Sequence, residues 1–217
     1  MEIKVVRQRR KTMSARFISS STLEVRVPYF LTQTQIDDFL KRHASQISKA
    51  QLQFTEKEAK KSVSGVYYLG NVYSTRTILG SYNRVSVVGS EFLIEYSSTK
   101  SAIYVVESFF VKEARRVLEM MVRECMELFP GLSTPNVTIR SMKTRWGTCA
   151  YRKGKITLNT KLIHVPLLCI RYVVIHELLH FTYPNHQKEF HEALEGLLPN
   201  HRKIERELHS YGFLLEE

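Results

Sequence analysis

Leu167-Leu-Cys-Ile-Arg-Tyr-Val-Val-Ile-His-Glu-Leu-Leu-His-Phe181 is the stretch on which the reading of this chain turns. It is apolar almost all round, follows Pro166 and contains neither glycine nor proline, so it predicts a largely buried helix entered through a first-turn proline. Residues four apart share one face of a helix. His176 and His180 therefore present two imidazoles to one point, as a helix does when it grips a metal ion. Glu177, one step past the first histidine, can reach a water held there. Zinc lowers the pKa of such a water to about 7, and a carboxylate can then take its proton. Burying His176, Glu177 and His180 without a metal would leave a charge and several donors in need of partners. His186 follows His180 by six residues, past the turn signal Pro184-Asn185. A reversal there would return a third imidazole to the first two, with His191 and His201 as the other candidates for that place.

Working outward, Gln187–Leu198 and the segment between Pro199 and Gly212 read as two shorter amphipathic helices. Upstream, Phe110, Ala114, Val117, Met121, Cys125 and Leu128 recur at helical spacing over residues 101–129, and Pro130-Gly131 stops that run. Val137–Arg140 and Lys155–Leu158 alternate like strands. Nearer the amino terminus, Ile3–Val6, Ala15–Ile18 and Leu23–Val27 are expected strands, and Thr34–Gln51 is an expected single helix. Residues 64–97, punctuated by Gly65, Gly70, Gly80 and Gly89, read as antiparallel hairpins with Val66–Leu69, Val85–Val88 and Phe92–Tyr96 as strands.

The 217 residues are 43% hydrophobic and 24% charged, which excludes a disordered chain and allows one elaborated domain or two small ones. Lys and Arg number 32 against 21 Asp and Glu, a net charge of +11 that favours an anionic partner: nucleotide, nucleic acid or acidic protein. Cys125, Cys149 and Cys169 are few and widely spaced, as suits a reducing, cytoplasmic setting. The basic residues of the first eleven positions precede no apolar core, so a signal peptide is not expected, and no apolar run is long enough for a transmembrane helix.

The run Ile139-Arg-Ser-Met-Lys-Thr-Arg-Trp-Gly-Thr-Cys149, followed by Lys155-Ile-Thr-Leu-Asn159, Tyr172-Val-Val-Ile-His-Glu-Leu-Leu-His180 and Asn185-His-Gln-Lys-Glu-Phe190, resembles the YgjP-like metallopeptidase family, which is related to the SprT-like and minigluzincin-type zinc proteases. The sharp part of the resemblance covers about residues 136–212. It implies that His176, His180 and His186 are the zinc ligands and Glu177 the general base. Two positions depart from the family pattern: Thr148 stands where serine is common, and His191 where tryptophan is common. Tyr183 occupies the place of the metzincin glycine, so that clan is excluded.

The chain is accordingly expected to be α+β: a sheet-rich module over residues 1–100 and a zincin-like, metal-dependent hydrolase domain over 101–217 carrying the His-Glu-x-x-His helix. The leading function is zinc-dependent hydrolysis of peptide bonds. The alternatives are a nucleotide pyrophosphatase acting on uridine triphosphate at the same metal, as the resemblance allows, or a protease acting on nucleic-acid-bound proteins. Between residues 139 and 155 lie Arg140, Lys143, Arg145, Arg152, Lys153 and Lys155 without one carboxylate. Guanidinium groups there could hold phosphate or carboxylate, and Arg145, beside Trp146, is the expected substrate contact. A second basic cluster comprises Lys4, Arg7, Arg9, Arg10, Lys11 and Arg16.

Overall fold

The computed structural model describes residues 1–216. The chain divides into two compact units, one ending at Ser62 and the other beginning at Val63. The boundary thus falls well before the expected position at residue 100. The reason is packing: Tyr67, Phe92 and Ile94 belong to the same buried cluster as the helices that follow.

In the first unit, strands β1 (Glu2–Gln8), β2 (Ser14–Phe17) and β3 (Thr22–Pro28) form a sheet in the order β1-β3-β2. The outer pair β1/β3 runs parallel, and β2/β3 antiparallel. Leu23, Val25 and Val27 alternate onto one face and are buried with Phe17 and Ile36. The expected single helix is two: α1 (Gln33–Arg42) and α2 (Ala44–Lys61). His43 separates them by leaving helical geometry (φ −104°, ψ 13°), with its Nδ1 2.8 Å from the Phe39 carbonyl. At the start of α1, Thr32 Oγ1 accepts from the Gln35 N–H while Gln35 Oε1 accepts from the Thr32 N–H, a reciprocal cap. Part of the basic cluster is engaged here: Arg7 donates to the Tyr29 and Leu31 carbonyls, and Arg16 pairs with Glu24 at 3.0 Å.

The second unit opens with strands β4 (Val66–Tyr68), β5 (Asn71–Leu79), β6 (Arg84–Val88) and β7 (Glu91–Tyr96), in the order β4-β5-β7-β6. The hairpins β4/β5 and β6/β7 are antiparallel as expected, but β5/β7 is parallel. The β4/β5 turn places both Leu69 (φ 49°) and Gly70 (φ 83°) in the left-handed region, as a two-residue turn of this hand demands. A Cβ on Gly70 would stand 2.6 Å from Pro166, so only glycine lets this hairpin lie against the entry to the next buried helix.

Helix α3 (Ala102–Met126) is capped by Ser101, whose Oγ accepts from the Tyr104 N–H. It buries Phe110, Ala114, Val117, Leu118, Met121 and Cys125 along one stripe. Strands β8 (Asn136–Arg140), β9 (Gly147–Ala150) and β10 (Lys155–Asn159) form a third sheet in the order β8-β10-β9. The basic segment therefore contains a strand that its polar sequence conceals. Helix α4 (Leu167–Leu179) is buried on nearly every side, with α3, α5 (Lys188–Leu197), α6 (His201–Ser210), β9 and β10 packed around it. Each of its fully buried Ile and Leu side chains contributes about 1.5–3 kcal/mol. The architecture is α+β, with small mixed sheets and helices segregated along the chain. Among the described residues no helix is long and apolar enough to cross a membrane.

Candidate metal centre

His176 sits in the last turn of α4, and His180 is its C-cap with near-helical angles (φ −64°, ψ −14°), so the four-residue spacing keeps both imidazoles on one side. The chain then tightens, Phe181 N–H to Leu178 O at 3.1 Å and Tyr183 N–H to Leu179 O at 2.8 Å, and residues 184–187 lead into α5. This reversal carries His186 back. Its Nε2 lies 2.9 Å from Nε2 of His176, and one ligand atom from each of His176, His180 and His186 lies within 4.8 Å of the others. His180 Nδ1 is 3.1 Å from the Tyr183 carbonyl, a bond in which the ring N–H donates and Nε2 is left as the metal-facing acceptor.

The donor chemistry fits a cation. Burial, with His180, His186, His191 and His201 alongside, pushes His176 down to about 3. Burial and its histidine neighbours also lower His186, against an opposing pull from Glu205. Both shifts favour the neutral imidazole, the form a metal requires. Beneath the three rings lies Phe190, fully buried, its centroid 4.9, 5.0 and 4.8 Å from those of His176, His180 and His186. It stacks on His180 and meets the other two edge-on.

Glu177 is 6% exposed, and burial raises its carboxyl to about 7, with the positive charge of Arg145 acting the other way. Gly147 on β9 makes its place: a Cβ there would stand 2.6 Å from Glu177 Oε1. Burial, and then the charge of Glu177, pushes the neighbouring Cys149 thiol up to about 11, so it stays protonated. Glu177 and His176 open onto a cleft of about 230 Å³ walled by Trp146, Tyr172, Val173 and Leu208, with Arg145, Glu205 and His209 also lining it. Burial, followed by the charge of the nearby Glu205, raises the Tyr172 phenol.

The loop that brings Arg145 and Trp146 to the cleft hangs on Asn159, which is fully buried at the end of β10. Its Nδ2 donates to the Met142 and Arg145 carbonyls at 2.8 Å each, and its Oδ1 accepts from the Met142 and Lys161 N–H groups. Asn159→Ala leaves those four backbone groups without their partner and is expected to lower stability by about 2–4 kcal/mol, read from urea denaturation. Asn159→Asp keeps the accepting half but sets a carboxyl oxygen against the two carbonyls in a fully buried place, and should destabilise at least as much as alanine.

The structure thus brings together three of the residues singled out from sequence, His176, His180 and His186, and lines the adjoining cleft with His176, Glu177 and the exposed Arg145. His191 is exposed and its ring lies 5.7 Å from Phe190, while His201 is buried with Nδ1 2.7 Å from Glu195. Neither joins the three-histidine group among the described residues. Arg140, Lys143, Arg152 and Lys153 are exposed and do not line the cleft. Phe190, Gly147 and Asn159 were within the quoted motifs, but their tasks are visible only in three dimensions.

A search of curated proteins finds no match. Among solved structures, the metallopeptidase zymogen jannalysin of Methanocaldococcus jannaschii aligns with 42% of this chain and 84% of its own, at 22% identity and a TM-score of 0.38. The YgjP-like metallopeptidase domain matches residues 11–211, nearly the whole chain and every element of the metal centre. A histidine triad that could hold a cation and a match of that extent lead to one conclusion: the chain belongs to the YgjP-like family of metallopeptidases and is a metal-dependent hydrolase.

Proposed function

We propose that this protein hydrolyses peptide bonds with a zinc ion held by His176, His180 and His186, Glu177 serving as general base and Arg145 contacting substrate. The observation that carries the reading is the convergence of three imidazoles on one point, with Glu177, next to the first of them in the chain, lining the adjoining cleft together with His176. When bound there, zinc would supply Lewis acidity and bring the pKa of a water to about 7. Glu177 would take the proton from that water and pass it to the leaving amine. Its burial suits the task, since a carboxyl raised to about 7 can both accept and return a proton near neutrality. Arg145 would hold a substrate carbonyl or carboxylate at the mouth.

The walls of the cleft favour a polypeptide over a nucleoside triphosphate. They are formed by Trp146, Tyr172, Val173 and Leu208, with Arg145 the one lysine or arginine among the lining residues. A triphosphate would find a single guanidinium besides the metal to neutralise it. The test is cleavage of heat-denatured casein by zinc-reconstituted protein, expected to exceed that by chelator-treated protein at least about tenfold. Release of pyrophosphate from uridine triphosphate with no casein cleavage would overturn the peptidase reading.

A further inference from the structure

A second cleft, of about 340 Å³, lies in the same unit between the first three turns of α3 and the beginning of β6, and shares no lining residue with the metal centre or its cleft. Tyr104, Ser108 and Lys112 recur at four-residue intervals along α3 and so form one row, about 12 Å long. Lys100 continues the row past the N-cap, and Arg84 faces it from β6. No carboxylate lines the cleft. Arg84 is engaged by Glu95 at 2.7 Å, whereas Lys100 and Lys112 have no ion-pair partner among the described residues. The Lys100 ammonium instead lies 5.2 Å from the centroid of the Tyr104 ring, and that ring is 55% exposed. Asn83 spends its carbonyl on the N–H and hydroxyl of Ser97, so what it offers the cleft is its NH2 donor. The floor is apolar, built from Val105 and Phe109.

Two cations without a carboxylate partner at the ends of a row, an exposed aromatic residue and polar donors between them, and no carboxylate in the lining describe a groove for alternating anions and flat rings. We propose that this cleft binds the phosphate-and-base chemistry of a nucleotide chain, a short stretch of single-stranded nucleic acid whose phosphates pair with Lys100 and Lys112 while a base stacks on Tyr104. The cavity accommodates about one nucleotide, and Lys100 and Lys112 line it from the two ends of the row, which suits a strand passing along it. A free nucleotide carries the same groups at shorter length. Lysines and a tyrosine at solvent make contacts of this kind without sequence preference.

Fluorescence anisotropy with a 5′-fluorescein-labelled twelve-residue oligothymidylate tests this on the full chain, independently of any hydrolysis. Binding should weaken with salt, and Lys100→Gln/Lys112→Gln should reduce affinity at least about tenfold and flatten the salt slope by about 1.4. Tyr104→Ala should reduce affinity about fivefold or more at unchanged slope. All three positions are exposed, and an unaltered thermal midpoint confirms that each variant is folded. Arg152→Gln/Lys153→Gln, an equal loss of charge elsewhere, should leave affinity within about twofold. Displacement of the probe by thymidine 5′-monophosphate as readily as by unlabelled oligomer would support the site and assign it to the free nucleotide. Equal losses in the two double variants, an unchanged affinity in Tyr104→Ala, or no binding of probe or monophosphate at low salt would overturn the proposal.

Discussion

Glu177→Gln is expected to lower turnover by at least about 100-fold while the metal content of the purified protein stays the same. Gln fills the space of Glu, so the clearance that Gly147 provides for the side chain is respected, but an amide cannot accept the proton of the attacking water. The ion would be held by the three imidazoles, whose hydrogen bonds in the structure go to the Tyr183 carbonyl and to one another. Stability offers a second check. Glu177 is buried, and burial disfavours its ionised form, so a neutral isostere should leave the melting temperature unchanged or raise it. Metal-replete, stably folded Glu177→Gln protein that still cleaves casein at the parent rate would remove Glu177 from its assigned role. A variant that loses both metal and activity would instead place the carboxylate among the ligands.

What could be read from the sequence was set by how local the cause is. The buried character of 167–179, the four-residue histidine spacing and the turn signal at Pro184-Asn185 are local facts, and the helix and its histidines follow from them. The stripe on α3 is equally local. Pairing between strands is not: Gly-rich turns reveal which neighbours fold back, but the parallel pairs β1/β3, β5/β7 and β8/β10 join strands whose register no turn dictates. β5 escaped notice because its side chains are mostly exposed on both faces and leave no alternation. β9 was hidden in a basic segment, although Gly147 within it is what admits the Glu177 carboxylate thirty residues later. The helix break at His43 is a single side chain bonding back to Phe39, in a run whose apolar spacing continues across it. For the same reason the boundary at Ser62 is a fact of packing, with no Pro- or Gly-rich linker to mark it.

Phe190 shows most clearly how a site depends on a residue with no chemistry of its own. Its ring meets all three imidazoles, at centroid distances near 5 Å, and it is fully buried. His180 has a second restraint in its bond to the Tyr183 carbonyl, but His186 is exposed and comes from a loop, so the edge of Phe190 and the facing His176 ring fix its direction. Phe190→Ala is expected to cost about 3–5 kcal/mol of stability, because a buried ring leaves a cavity that α4 and α5 cannot close. Metal affinity should fall by about 10- to 100-fold, as when groups that orient ligands are removed. Phe190→Leu separates the two effects: it refills most of the volume and should recover over half of the stability, yet it supplies no flat face for His180 and should still bind metal less tightly than the parent. Titration with a competing zinc chelator reads the affinity, and urea denaturation of the metal-free protein reads the stability. Parent-like zinc affinity in both variants would show that the histidines hold their geometry without the platform and that Phe190 is packing alone.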